Sequence, residues 1–289
     1  MNRLHKIAVI GAGSWGTALS MVLATRECEV VLWTPEEAQA RQLAETRRSP
    51  VLSKTALPLA PNIHPTCDLG QVKDAELIVV VVPSVAMRSV AQRLRSLPVS
   101  LVYASTSGVY CGCAGALVAE TRTVAPGTPR AQRRVNAERA VRHLGRAGVR
   151  TSILRIPGIY APDREGGTPE ARLRRGTPVL TAQDDVYTNH IHADDLARAC
   201  LAALWRGKPQ RVYNVSDASA MKMGDYFDLA ADLYRLPRPP RVPRSTAQDA
   251  LPVMLLSFMS ESRRLDNHRL LGELGLRLRY PTVATGLRA

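Results

Sequence analysis

The stretch Lys6 to Arg26, KIAVIGAGSWGTALSMVLATR, constrains the fold more than any other part of the chain. Lys6 to Ile10 is a short β-branched run, and Leu19, Val22 and Leu23 then recur at helical spacing. Between them stands Gly11-Ala12-Gly13-Ser14-Trp15-Gly16, so the GxGxxG pattern sits where a strand turns into a helix. In that context each glycine has a job: Gly11 makes the tight turn, Gly13 lets backbone approach a pyrophosphate, and Gly16 lets helix pack on strand. The free N–H groups of the helix start then bind the anion, with Ser14 and Trp15 at its mouth. The competing reading is a glycine-rich turn without a ligand.

A second strand is predicted over Glu29 to Trp33 (EVVLW), followed by Thr34-Pro35-Glu36-Glu37. Glu36 or Glu37 either holds the ribose hydroxyls or opens the next helix at its favourable end, so NAD and NADP both remain as cofactors. A polar helix over Pro35 to Arg48, a loop reading ALPLAPNIHPTCDL and an apolar strand over Glu76 to Ser84 follow. Such a run suits a strand buried in a parallel sheet. Ligands in these sheets sit beyond the carboxyl ends of the strands, which puts Val82, Pro83 and Ser84 on the cofactor crevice.

With KIAVIGAGSWGTALS, VVLW, LPLAPNIHPTCDL and AELIVVVVPSVAMRSV in order, residues 6–97 resemble the N-terminal half of bacterial NAD(P)-dependent glycerol-3-phosphate dehydrogenase. That resemblance implies a dinucleotide-binding half over 1–97. The likeness stops there: nothing after Pro98 looks like the family's helical, lysine-bearing substrate domain.

From Val99 the order LVYASTSGVY, PGTPRAQRRVNAERAV, VRTSILRIPGIYAPDR, NHIHADDLARACLAAL and QRVYNVSD resembles the extended short-chain dehydrogenase/reductases of the epimerase/dehydratase group. It extends to about Leu287 and implies, over 98–289, the second half of the same sheet plus a small C-terminal substrate lobe. The expected fold class is therefore α/β, a doubly wound parallel sheet of Rossmann type. Both families share strand order at the join, so one sheet is feasible; mismatched core volumes would cost about 1–3 kcal/mol per overpacked site.

The second resemblance places Thr106 on the family's catalytic Ser/Thr position, with a strand terminator as the alternative role for Ser105, Thr106 and Ser107. Pro157, Gly158 and Tyr160 fall on the loop that packs against the nicotinamide. Members of the family use a Tyr-x-x-x-Lys pair, in which the ammonium lowers the tyrosine pKa. Here Arg130 takes the tyrosine position and Arg134 the lysine position, and a guanidinium stays protonated at neutral pH. Arg134 keeps the capacity to hold ribose or phosphate. Tyr103, Tyr110 and Tyr160 are the nearby candidates for a substitute proton donor.

Asn189-His190-Ile191-His192-Ala193-Asp194-Asp195 has metal-ligand residue types, but reads as a strand entering a helix, with an aspartate as the cap and the histidines on alternate faces. No metal is expected. Arg172, Arg174 and Arg175 form either an anion site or a solvated helix face. Pro237 to Pro243 reads as a stiff loop before LPVMLLSFM, a buried helix.

The net charge is +14, yet the basic residues are nearly all arginines scattered along the chain, and aromatics are only 4%. Nucleic-acid readers cluster such charges among aromatics, so nucleic acid is not an expected partner. The five cysteines read as free structural thiols. No apolar run of membrane length occurs and the start lacks the pattern of a secretory leader, so no membrane association and a cytoplasmic location are expected. The expected partner is a small-molecule substrate, and a homodimer is left open.

Three functions follow. The first is an oxidoreductase-like protein of the epimerase/dehydratase type, moving hydride at a hydroxyl or carbonyl carbon. The second is a non-catalytic dinucleotide-binding module, and the third, weakest, is glycerol-3-phosphate dehydrogenase.

Overall fold

A computed structural model describes residues 4–50, 58–94, 100–163 and 166–288. The chain divides into two compact units, one of residues 1–101 with 146–149, the other of 102–145 with 150–289. Residues 95–99, where the two resemblances meet, lie outside the described residues, and so does the expected seam at 97–98.

The first unit runs β1 (Lys6–Ile10), α1 (Ser14–Ala24), β2 (Glu29–Trp33), α2 (Glu37–Thr46), β3 (Ile63–Thr66), β4 (Leu77–Val80) and α3 (Met87–Leu94). Its strands pair in parallel in the order β3-β2-β1-β4. The chain therefore builds outward from β1 to β3, then returns to the other side of β1 for β4. That reversal makes the carboxyl end of β1 a topological switch point. Ile7 and Val9 pack with Val30 and Leu32 on one face, while Ala8 and Ile10 pack with Val31 and Trp33 on the other. Both faces are thus covered, which explains strands that are apolar throughout rather than alternating.

The second strand falls at its predicted limits. The polar helix is shorter than the predicted 35–48, because Glu36 is an extended cap residue and Arg47 turns left-handed (φ 53°). The apolar strand ends at Val80, with Val82, Pro83 and Ser84 in the loop beyond. Strand β3 lies inside what reads as a loop; Pro65 sits in it opposite Leu32. Among the described residues β3 has only β2 beside it, and proline is tolerated in such an edge strand.

In the second unit, β5 (Ser100–Thr106) and β6 (Leu117–Val118) precede α4 (Pro129–Arg146), which starts on Thr128, whose hydroxyl accepts from Ala131 N at 3.1 Å. Then come β7 (Arg150–Ile156), β8 (Gly158–Tyr160), α5 (Glu170–Arg174), β9 (Val179–Leu180), β10 (Tyr187–Thr188), β11 (His190–His192) and α6 (Ala193–Arg206). The rest is β12 (Arg211–Asn214), β13 (Met221–Lys222), α7 (Met223–Tyr234), β14 (Arg241–Val242), α8 (Arg244–Ala250), α9 (Val253–Phe258), β15 (Arg264–Leu265), α10 (His268–Gly272) and α11 (Val283–Gly286).

The central ladder here is β12-β7-β5, and β8 pairs in parallel with β11. Leu154, Ile156 and Tyr213 pack against Ala199 and Ala203 of α6. A separate apolar cluster joins Tyr160, Leu173 and Val179 to Tyr226, Phe227 and Ala230, and forms the core of the lobe around α5 and α7. The fold class is α/β, with Rossmann-type parallel sheets.

Candidate functional site

In the first unit the glycine loop follows β1 directly, with Gly11 N donating to Trp33 O at 2.8 Å. Gly11 has φ +116°, and a Cβ there would lie 2.3 Å from Val81 O. A Cβ on Gly16 would lie 1.7 Å from Gly11 O. Both glycines are therefore demanded by the protein's own packing. Gly13 is different: nothing lies within 4 Å of where its Cβ would be. It is the cap residue of α1, and no side chain caps that helix. Gly13, Ser14 and Trp15 form an exposed mouth, Trp15 being 74% exposed.

The loop is braced from behind. Gln39 Nε2 donates to Ala12 O at 3.2 Å, and the Gln39 carbonyl accepts from the Thr34 hydroxyl at the end of β2. Val82 lies against the turn, its Cγ1 3.1 Å from the Cβ position of Gly11, whereas Pro83 is exposed and Ser84 half-buried. Glu37 is engaged by Arg41 at 2.9 Å and Glu36 is exposed, so neither is committed to a ribose. The bare helix start and the open Gly13 position fit a dinucleotide pyrophosphate, whether NAD or NADP.

In the second unit β5 delivers its hydroxyls to different tasks. The Ser105 hydroxyl donates to Glu138 Oε1 at 2.7 Å. Glu138 is gripped by Arg155, Nε to Oε1 at 3.1 Å and Nη2 to Oε2 at 2.7 Å, with both side chains under 5% exposed. Arg155 stacks over Tyr110 at 4.6 Å, and Tyr110 donates to Asn214 Oδ1 at 2.8 Å. Asn214 N in turn donates to Glu120 Oε1 at 2.8 Å. Burial pushes the Glu120 carboxyl and the Tyr110 phenol up from their ordinary pKa values. This network ties β5, α4, β7 and β12 together and commits the Tyr110 hydroxyl to Asn214.

Thr106 instead faces a cleft of about 470 Å³. Its Oγ1 accepts from Gly108 N at 3.2 Å, so it does terminate the strand, yet its O–H remains to be donated. Arg130, Pro157, Gly158 and Tyr160 line the same cleft. Arg134 is placed otherwise: its Nη1 donates to the Tyr103 hydroxyl at 3.2 Å and to Ala104 O at 3.4 Å, anchoring α4 to β5. Tyr160 donates to Thr282 O at 3.4 Å, and burial raises its pKa, so it is a reluctant acid. Of the three tyrosines, only Tyr160 lines the cleft; Tyr103 receives Arg134, and Tyr110 donates to Asn214.

The histidine segment corrects two expectations. His190 and His192, two residues apart on β11, share a face, and both set a ring edge-on to Tyr160. The cap of α6 is His192, whose Nδ1 accepts from Asp194 N at 3.1 Å. Asp195 is fully buried and receives Arg279 N at 2.9 Å, Tyr280 N at 2.8 Å and the Arg198 guanidinium at 2.8 Å. It ties the C-terminal segment to α6. His190 lines the cleft, and burial drives its pKa down to about 3, so its imidazole is neutral. Among the described residues no group of three or more His, Cys, Asp or Glu is arranged for a metal.

Two wall residues, Tyr226 and Phe227 of α7, escape sequence reasoning, because aromatics on an amphipathic helix read as core. Arg172 on α5 also lines the cleft, while Arg174 pairs with Glu170 at 2.6 Å on the surface. The three arginines of that segment therefore do not act as one face.

Comparison with known proteins supports the first resemblance in sequence and the second in fold. Residues 6–107 match the family model of the NAD-dependent glycerol-3-phosphate dehydrogenase N-terminus, running past Leu97 to include Thr106. The glycine loop is thus that of a NAD-binding domain family. Glycerol-3-phosphate dehydrogenase [NAD(P)+] of Halalkalibacterium halodurans is 40% identical over 108 residues, covering 35% of this chain and 30% of the relative. The chain so spans under a third of the length of this curated relative. Over 98% of this chain the fold is shared with solved structures. One is a conserved protein of unknown function from Silicibacter pomeroyi, 26% identical, with 97% of that chain covered and a TM-score of 0.72. Another is MoeE5 in complex with UDP-glucose and NAD, 18% identical, with 96% covered and a TM-score of 0.67.

Proposed function

We propose that this chain binds NAD or NADP at Gly11 to Gly16 and a small molecule in the Thr106 cleft, as an oxidoreductase-like protein of the epimerase/dehydratase type. The observation that carries the reading is Gly13. Its Cβ position is open where those of Gly11 and Gly16 are blocked, so glycine there serves something other than the protein's own packing. The bound dinucleotide would supply a nicotinamide for hydride exchange at a hydroxyl or carbonyl carbon. Thr106 would donate its O–H to the substrate oxygen, and Pro157 with Gly158 would shape the wall beside it. The likeness to MoeE5, crystallised with UDP-glucose and NAD, supports nucleotide sugars as a substrate class to test.

A second reading, a non-catalytic dinucleotide-binding module, is favoured by the arginines. Arg130 stands at the cleft and Arg134 is spent on Tyr103 and Ala104, so the ordinary tyrosine-lysine proton relay has no counterpart. Glycerol-3-phosphate dehydrogenase activity is the weakest reading, because the matching region is a third of the chain. Oxidation of NADH and NADPH with a panel of sugar nucleotides, ketones and dihydroxyacetone phosphate separates the three. Turnover of a sugar nucleotide or ketone supports the first. Cofactor binding without turnover of any member supports the second, and reduction of dihydroxyacetone phosphate restores the third.

A further inference from the structure

Several arginines of the second unit present the Nε and Nη2 edge of the guanidinium to a carboxylate. Arg155 does so to Glu138 at 3.1 and 2.7 Å, and Arg238 to Asp232 at 3.0 and 2.7 Å. This side-on fork matches the two oxygens of a carboxylate or phosphate. Arg172 breaks the pattern. Its Nε and Nη2 are both shielded from solvent and neither has a hydrogen-bond partner. Among the described residues no carboxylate pairs with it, since Glu170 is taken by Arg174.

The surroundings reinforce the point. Arg172 lies with its Cζ 4.3 Å from the centre of the Phe227 ring, a stacking that orients the guanidinium plane while satisfying none of its N–H groups. Glu261 is the only carboxylate on the cleft wall among the described residues, and Arg263 Nη1 holds it at 2.7 Å. Arg130 adds a further positive charge to the same wall. A guanidinium cannot shed its proton to escape burial, and donors hidden without acceptors are destabilising. Among the described residues no protein acceptor meets Nε or Nη2, and Arg172 lies on the cleft wall, where an oxyanion would balance its charge.

We infer that the ligand of this cleft carries a carboxylate or phosphate and that the Arg172 guanidinium, on the cleft wall, is its counter-charge. The inference deepens the reading of the cleft as a substrate site, and rests on it only in calling the anion part of a substrate. Binding is therefore measured on the full chain without dinucleotide, so its failure leaves the redox reading untouched and the converse also holds.

The probes are inorganic phosphate and malonate, titrated at constant ionic strength with chloride as the balancing anion, by calorimetry and thermal unfolding. Wild type should bind one of them saturably, phosphate alone marking a phosphate-bearing ligand and malonate alone a carboxylate. Arg172→Met should lose at least tenfold in affinity and unfold at a higher temperature than wild type without probe. Arg172→Lys should retain part of the binding, and Arg133→Met, at an exposed position of α4, all of it. Binding of neither probe, equal binding by Arg172→Met, or loss of binding in Arg133→Met as large as in Arg172→Met would overturn the assignment.

Discussion

Alanine at Gly13 and at Gly16 should have opposite consequences. A Cβ on Gly16 falls 1.7 Å from the Gly11 carbonyl oxygen and 2.9 Å from its carbon, backbone atoms with no flexible side chain to yield. Ordinary overpacking costs about 1–3 kcal/mol, so Gly16→Ala should lose at least about 3 kcal/mol of stability. Gly13 has φ −74° and ψ −177°, extended backbone that alanine adopts freely, and no atom within 4 Å of its Cβ position. Alanine is a poorer cap than glycine by up to about 1 kcal/mol. A stiffer unfolded chain returns about 0.4–1 kcal/mol, so the net change should be within about 1 kcal/mol. Cofactor binding is where Gly13→Ala should fail, because the added methyl occupies the approach to the pyrophosphate. NAD(H) or NADP(H) at about 100 times its dissociation constant should stabilise wild type by about 2.7 kcal/mol. A hundredfold weaker variant at the same concentration should gain only about 0.4 kcal/mol. Urea unfolding with and without dinucleotide reads both quantities. Gly13→Ala keeping the full gain, or unfolding as readily as Gly16→Ala, would refute the assignment of the loop.

Glu138→Gln removes one partner of a pair buried on both sides, leaving Arg155 charged without its carboxylate; it should cost about 3–5 kcal/mol in urea unfolding, and a loss below about 1 kcal/mol would contradict the network's role. Asp217 and His190 should make opposing contributions to the pH dependence of stability. Burial raises Asp217 to about 7, so it favours the folded state below pH ~4 and loses that contribution as pH rises from ~4 to ~7. Burial lowers His190 to about 3, so its contribution is present above pH ~6.5 and lost as pH falls towards ~3. Asp217→Asn keeps the acceptor for Ser219 N and removes the first slope, which at about 1.36 kcal/mol per pKa unit amounts to roughly 4 kcal/mol between pH 4 and 7. The variant's stability relative to wild type should therefore climb over that range, and a pH-independent difference would contradict it.

The cradle was legible because its causes are local. Strands buried on both faces must be apolar throughout, and the glycines mark a turn whose close contacts involve only residues 9–16 and 81–82. Strand β3 was hidden because an edge strand tolerates Pro65 and His64, which erase the apolar run. In the second unit the hydroxyl end of β5 was legible as a position, but the fate of each hydroxyl was not. Ser105 meets a glutamate 33 residues away, and Tyr110 meets an asparagine 104 residues away. The cap of α6 reads as an aspartate because carboxylates cap more often than imidazoles; in the fold His192 takes that place and Asp195 is drawn to the backbone of Arg279 and Tyr280. Arg172 and Arg174 read alike in sequence; that Glu170 pairs with Arg174 and leaves Arg172 without a carboxylate among the described residues is a tertiary property.

The most direct test of the account is calorimetric titration of the wild-type chain with NAD+, NADH, NADP+ and NADPH. Saturable binding of at least one of the four, one dinucleotide per chain and weakened about a hundredfold by Gly13→Ala, is the predicted result. Absence of binding by all four in a chain that unfolds cooperatively would contradict it, and would leave Gly11 to Gly16 as a turn without a ligand.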